Sequence, residues 1–174
     1  ISFRLRLTGE SRPPSQRRAR SRRKRKGVPA KERRHKSGEK GEECMTYKEM
    51  YELAVRNLLP KEHGSGFSSG FVSAVLEGAN GKYYCGVNID LYCGLGFCAE
   101  RSAAAAMITD GETVIRRVVC VGQNGALMTP CGSCREFISL LSPENRNTEF
   151  LCSLEGEKTI KLSELLPFPW DAIE

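Results

Sequence analysis

The chain has 174 residues, 40% of them hydrophobic, which suits one domain with a packed core. Its net charge of +6 is unevenly spread: residues 1–44 carry 16 Lys/Arg against 5 Asp/Glu, a balance of +11, and the rest carries 11 against 16, a balance of −5. No apolar run approaches the roughly 20 residues that span a bilayer, and the N-terminal apolar stretch is too short and too broken by arginine for a secretory signal, so a cytoplasmic protein is expected.

Residues 11–40 are rich in Arg, Lys, Ser and Pro and hold almost no large apolar side chain. Such a segment cannot bury enough surface to offset its chain entropy, so residues 1–44 are read as a basic, disordered tail and 45–174 as the folded domain. The run from Arg17 to Lys26 has the composition of a nucleic-acid contact or a nuclear address, which makes nucleic acid a partner through this tail alone. Because the chain opens on Ile1 and clean helix patterning begins at Met45, the tail reads as upstream translated or appended sequence.

Thr46 and Glu49 form a T-x-x-E capping box, and Tyr47, Met50, Tyr51, Ala54 and Leu58 recur at helical spacing before Pro60. Residues 63–70 read as a glycine- and serine-rich loop. Two strands are predicted over 71–77 and 82–89, joined by an Asn80-Gly81 hairpin turn. A loop with Gly94 and Gly96 leads to a helix over about 98–109, stopped near Gly111. A buried strand over 117–122, a helix opened by Pro130 and running to about Leu141, strands over 148–154 and 159–162 and a short turn over 163–166 complete the chain. Strand–helix–strand units favour a sheet with helices on both faces.

Two segments carry chemistry: Cys98-Ala99-Glu100-Arg101 and Pro130-Cys131-Gly132-Ser133-Cys134-Arg135. Each lies where a helix should begin, and unpaired N–H groups there favour thiolates. Cys131 and Cys134 share one side of a turn and, with Cys98, supply three soft ligands suited to tetrahedral zinc, one ion per chain. Three protein ligands leave a position open for catalysis, whereas Cys93, Cys85 or His63 would complete a structural site, and C-x-x-C alone would suit a redox pair. Glu100 can face the same cavity without ligating. Cys120 and Cys152 sit in apolar strand-like runs and are expected to behave as small buried hydrophobes.

The run Gly86-Val87-Asn88-Ile89-Asp90, then CAER, then TPCGSCRE, then Glu164-Leu165-Leu166-Pro167, resembles the cytidine deaminase family in order and spacing, over about Met45 to Trp170. The resemblance implies a three-layer α/β/α fold with a five-stranded mixed sheet, a homotetramer, and zinc-dependent hydrolytic deamination of cytidine or deoxycytidine in pyrimidine salvage. It implies Cys98, Cys131 and Cys134 as zinc ligands and Glu100 as proton shuttle. Arg101 and Arg135 match motif arginines, whose guanidinium groups would offset the thiolate charge by donating to sulfur. Ala99 and Thr129 backbone are expected near the reacting base, Asn88 and Asp90 at the ribose. Trp170 is expected either in a neighbour's pocket or as an anchor for the C-terminus. Asp90 stands where the family has glutamate, the loop to Cys98 is one residue short, and Phe71-Val72-Ser73-Ala74 replaces F-P-V-G-A. The last two departures resemble the blasticidin S deaminase branch, so a modified aminopyrimidine nucleoside is the alternative substrate. A structural-zinc or nucleic-acid-binding module is the alternative of another class.

Overall fold

A computed structural model describes residues 44–171. The basic segment assigned to the tail lies outside the described residues except for Cys44, whose thiol packs beside Glu77, Tyr83 and Arg117.

The chain forms helix α1 (Tyr47–Arg56), strands β1 (Lys61–Glu62), β2 (Phe67–Gly78) and β3 (Tyr83–Leu91), helix α2 (Ala99–Thr109), strand β4 (Ile115–Gly122), helix α3 (Gly132–Leu141), strands β5 (Glu149–Ser153) and β6 (Lys158–Lys161), and the single turn α4 (Leu162–Leu165). The capping box closes α1 as expected: Thr46 N–H donates to Glu49 Oε2 at 2.7 Å, and Glu49 N–H to Thr46 Oγ1 at 3.2 Å. Gly81 makes the β2–β3 turn with φ of +77°, a conformation that favours glycine.

Five strands run in the order β3-β2-β4-β5-β6, antiparallel except for the β4–β5 pair, which the α3 crossover makes parallel. The sheet is mixed, as expected, but has a sixth member. Ser68 pairs with Asp90 on one side and Glu62 on the other, so β1 sits on the edge of β2 that β4 occupies further along. This corrects the loop expected over 63–70. Gly64, Ser65 and Gly66, all at positive φ, turn the chain, and backbone ladders on both sides then hold a Ser/Gly stretch of poor strand propensity as strand from Phe67 onward.

Strand alternation sorts the core into two layers. Ala74, Leu76, Val118, Cys120 and Phe150 pack against α2, α3 and α4. Val75, Val119, Val121 and Leu151 face the opposite way, onto Tyr47, Met50 and Ala54 of α1. This is the expected three-layer α/β/α architecture. At Gly86 a side chain would collide with the Ala99 carbonyl and the Ala103 nitrogen, so glycine lets α2 lie directly on β3. No helix of the described residues is long and apolar enough to cross a membrane.

Cys120 is buried as expected, but Cys152 is exposed. Phe150 and Leu151 are covered on both faces of the sheet, whereas Cys152 is one residue further along β5, past that cover. All eight cysteines are free thiols.

Candidate active site

Two helix starts converge on the α2–α3 face of the sheet. Cys98 is the N-cap of α2 and Cys131 the N-cap of α3, both extended, and neither side chain caps its own helix. Their thiols therefore point away from the helix axes and toward each other, with Sγ–Sγ 3.4 Å. Cys134, one turn into α3 and fully buried, brings the third sulfur; all three lie within 4.8 Å of one another. A zinc ion about 2.3 Å from each of three sulfurs in tetrahedral array would set them roughly 3.8 Å apart. Sulfur spacing and a soft, all-thiol donor set thus fit one tetrahedral metal. Among the described residues the group consists of these three; His63, Cys85 and Cys93 do not join it. The four-ligand structural arrangement is therefore not formed.

The thiols differ in acidity. Burial raises all three. At Cys131 the Cys134 backbone N–H and the Cys98 and Cys134 thiols outweigh burial and hold it below the ordinary thiol value. At Cys98 and Cys134 burial prevails, reinforced by neighbouring sulfur and the Glu100 charge, and both stay above it. A cation in their midst is what would hold all three as thiolates.

Glu100, in the first turn of α2, is 3% exposed. Burial pushes its carboxyl up from the ordinary range, against the opposing pull of its own backbone N–H and the Cys134 thiol. It lines a cavity of about 470 Å³ together with Cys98, Cys131, Ala99, Thr129, Asn88 and Asp90, so the structure brings these expected residues to one place. Asn88 Oδ1 accepts from Val72 N–H at 2.7 Å, and its Nδ2 donates to Asp90 Oδ2 at 2.6 Å.

Three expectations need correction. Arg101 donates to Ser133 Oγ at 3.4 Å and lies 5.2 Å over the Phe137 ring. Arg135 donates to the Pro130 carbonyl at 2.9 Å and the Leu165 carbonyl at 3.1 Å. Neither guanidinium donates to sulfur. They brace the Cys131 segment through Ser133 and Pro130 instead, because carbonyl and hydroxyl oxygens lie within reach first. Trp170 is 71% exposed and is held only through its backbone N–H, which donates to Glu136 Oε1 at 3.0 Å. A ring this exposed does not fit the reading of Trp170 as a hydrophobic anchor for the C-terminus.

Sequence reasoning missed much of the cavity's apolar wall: Phe71, Val72, Phe97, Cys120 and Met128. The signal for Phe71 was its place in the altered F-V-S-A element. Met128 and Phe97 sit in short irregular segments with no periodicity to read.

A scan of protein-family models matched none. The chain is 33% identical over 98 residues to a cytidine deaminase of Halalkalibacterium halodurans, a match spanning 55% of this chain and 74% of the relative. It is 34% identical over 102 residues to a cytidine deaminase of Mycoplasma genitalium, spanning 56% of this chain and 77% of that one. In fold it is similar to the crystal structure of cytidine deaminase from Mycobacterium leprae, with a TM-score of 0.59 at 24% identity over 71% of this chain and 99% of that one. Sequence similarity over three quarters of such relatives, together with a shared fold, places the chain in the cytidine deaminase family of hydrolytic enzymes.

Proposed function

We propose that this protein is a zinc-dependent deaminase that converts cytidine or deoxycytidine, with water, to uridine or deoxyuridine and ammonia, in pyrimidine salvage. The observation that carries the reading is the convergence of three thiols within 4.8 Å of one another, two of them, Cys98 and Cys131, at the wall of the cavity that the buried Glu100 also lines. Cys98, Cys131 and Cys134 would hold one zinc per chain. When bound, zinc supplies the Lewis acidity that lets water react near neutral pH.

Glu100 takes a proton from the attacking water and passes it to the pyrimidine ring nitrogen. The water oxygen, now bonded to the amine-bearing carbon, gives its remaining proton to Glu100, which delivers it to the leaving ammonia as the carbon–amine bond breaks. A carboxyl raised by burial is suited to both tasks, since its proton affinity lies nearer working pH than that of an exposed glutamate. Ala99 and Thr129 line the cavity, and their backbone would orient the base. Asn88 and Asp90 mark the sugar end. Arg101 and Arg135 support the site by bracing the Cys131 segment. Trp170, exposed on this chain, is free to reach a neighbouring copy in a homotetramer. The enzyme would work in the cytoplasm with its cysteines reduced.

Ammonia release from cytidine and deoxycytidine by the zinc-loaded full chain tests the reading; no release from either would overturn it. A bulkier aminopyrimidine nucleoside is the second reading, favoured by Asp90, whose side chain is one methylene shorter than glutamate and leaves more room. Turnover of such a nucleoside well above cytidine would select it. We place all of this chemistry in residues 45–174, so removal of residues 1–44 should leave turnover of free nucleoside unchanged.

A further inference from the structure

Met128 reaches the cavity from the return arm of a hairpin that extends β4. The one-turn helix Gln123–Gly125 reverses the chain after Gly122, and Tyr51 of α1 holds it by donating to the Gly125 carbonyl at 2.9 Å. Residues 126–128 then run back along β4. Gly122 N–H donates to the Ala126 carbonyl at 2.8 Å, Leu127 bridges Val121, and Met128 N–H donates to the Cys120 carbonyl at 2.9 Å. Alternation turns Leu127 to the α1 side with Val121 and leaves Met128 on the side of Cys120, where both line the cavity. Gly122, two residues from Cys120, lies on that side as well. Its backbone, with φ of −89° and ψ of 179°, is open to any residue. Space is what favours glycine there: a β-carbon would stand 2.7 Å from the Met128 sulfur. A side chain at this position would push the flexible thioether off its seat rather than break the strand. Met128 is 43% exposed, so it stands where the cavity wall meets solvent.

We propose that Met128, seated on Gly122, is a specificity-determining residue that packs against the C5–C6 edge of the pyrimidine and limits what the base can carry at C5. The inference rests on the reading of the site as a nucleoside pocket. In that reading Glu100, on α2, serves the ring nitrogen beside the amine-bearing carbon, and Asn88 and Asp90 mark the sugar end. The remaining long edge of the ring carries only C–H groups, which call for an apolar surface. Phe71, Val72, Phe97, Cys120 and Met128 supply one. Of these, Met128 directly precedes Thr129, the residue whose backbone orients the base, and it comes from the sheet rather than from the helix that carries Glu100. C5 adjoins the amine-bearing carbon on the side away from the ring nitrogen that Glu100 serves, so Met128 is the apolar group placed to meet it. The backbone of residues 126–128 is fixed by its bonds to β4, which leaves the side chain to give. The size of residue 122 then sets how far the thioether leans into the pocket.

The ratio of kcat/KM for cytidine to that for 5-methylcytidine, measured on the zinc-loaded full chain, tests this. Both substrates meet the same folded molecules, so partial loss of fold leaves the ratio unchanged. The wild type is expected to favour cytidine about tenfold or more, the scale of one methyl group in a filled apolar pocket. Met128→Ala should cut that preference to about twofold or less, and Gly122→Ala should raise it roughly tenfold further. In the Met128→Ala background Gly122→Ala should change it less than about twofold, since no thioether is left to displace. A wild type indifferent to the methyl group, an unchanged ratio in Met128→Ala, or a full effect of Gly122→Ala without the thioether overturns the proposal. Calorimetric binding of uridine and 5-methyluridine gives the same comparison without turnover. Weaker binding of 5-methyluridine by the wild type, with the difference lost in Met128→Ala, is expected; equal binding of the two by the wild type also overturns the proposal. Failure of the functional reading shows differently, as wild-type protein that releases no ammonia from cytidine or deoxycytidine.

Discussion

Two buried glutamates occupy opposite faces of the same sheet, each 3% exposed. Glu77, on the α1 side of β2, pairs with Arg117 of β4, with the Cys44 thiol and the Tyr83 hydroxyl both 3.3 Å from Oε1. Burial pushes its carboxyl up, but the Arg117 guanidinium, with help from Cys44 and Tyr83, holds it below the ordinary value. Glu100, on the α2 side, has no ion-pair partner among the described residues, and burial leaves its carboxyl raised. The first glutamate has its charge committed to joining two strands. The second is costly to ionise and available to exchange a proton, which is the pattern of a group kept for chemistry.

The largest effect is expected from the three thiols proposed to hold zinc beside Glu100. Cys134→Ser should abolish metal binding, removing a contribution on the order of 10 kcal/mol to the site, whereas Cys93→Ser should keep one zinc per chain by metal analysis. Zinc loss in the Cys93 variant would mean a closed, structural site.

Glu100→Gln should lower turnover by about 10²–10⁴-fold while zinc is retained and the melting temperature does not fall. An active Gln variant would assign proton transfer to another group. Glu77→Gln should do the reverse. It leaves the Arg117 charge without its counter-charge and should cost about 3–5 kcal/mol in denaturant unfolding, with turnover per folded molecule unchanged.

The smallest effect is the pH dependence. Because the folded-state value of Glu77 lies below its ordinary 4.5, its contribution is complete above that pH and fades as pH falls through the folded value. Acid titration of stability should therefore steepen below about pH 4.5 in the wild type, and Glu77→Gln should flatten that step. Equal slopes in the two proteins would show that the pair does not set acid stability.

Much of this molecule was legible in its residues. The capping box, the apolar spacing of α1, the Asn80-Gly81 turn and the helices at CAE and PCGSC are local signals, carried by side chains that act within a few residues of themselves. Cys98, Glu100, Cys131 and Cys134 were legible as motif residues at two helix starts, but that the two starts converge on one site was implied only by the family resemblance until the fold brought them together. What tertiary structure alone decided is pairing at a distance. Polar Ser68 and Ser69 become strand only because neighbours on both edges complete their ladders. Asn145, buried in a short turn after α3, accepts from Ile115 N–H and donates to the Thr113 and Ile138 carbonyls, fixing α3 against β4 with no sequence pattern to mark it. Arg117 meets Glu77 from 40 residues away, and Arg135 turns to carbonyls rather than sulfur. Hydrogen-bond partners of this kind depend on which backbone groups the packed sheet leaves unpaired, and that is settled only when the layers close.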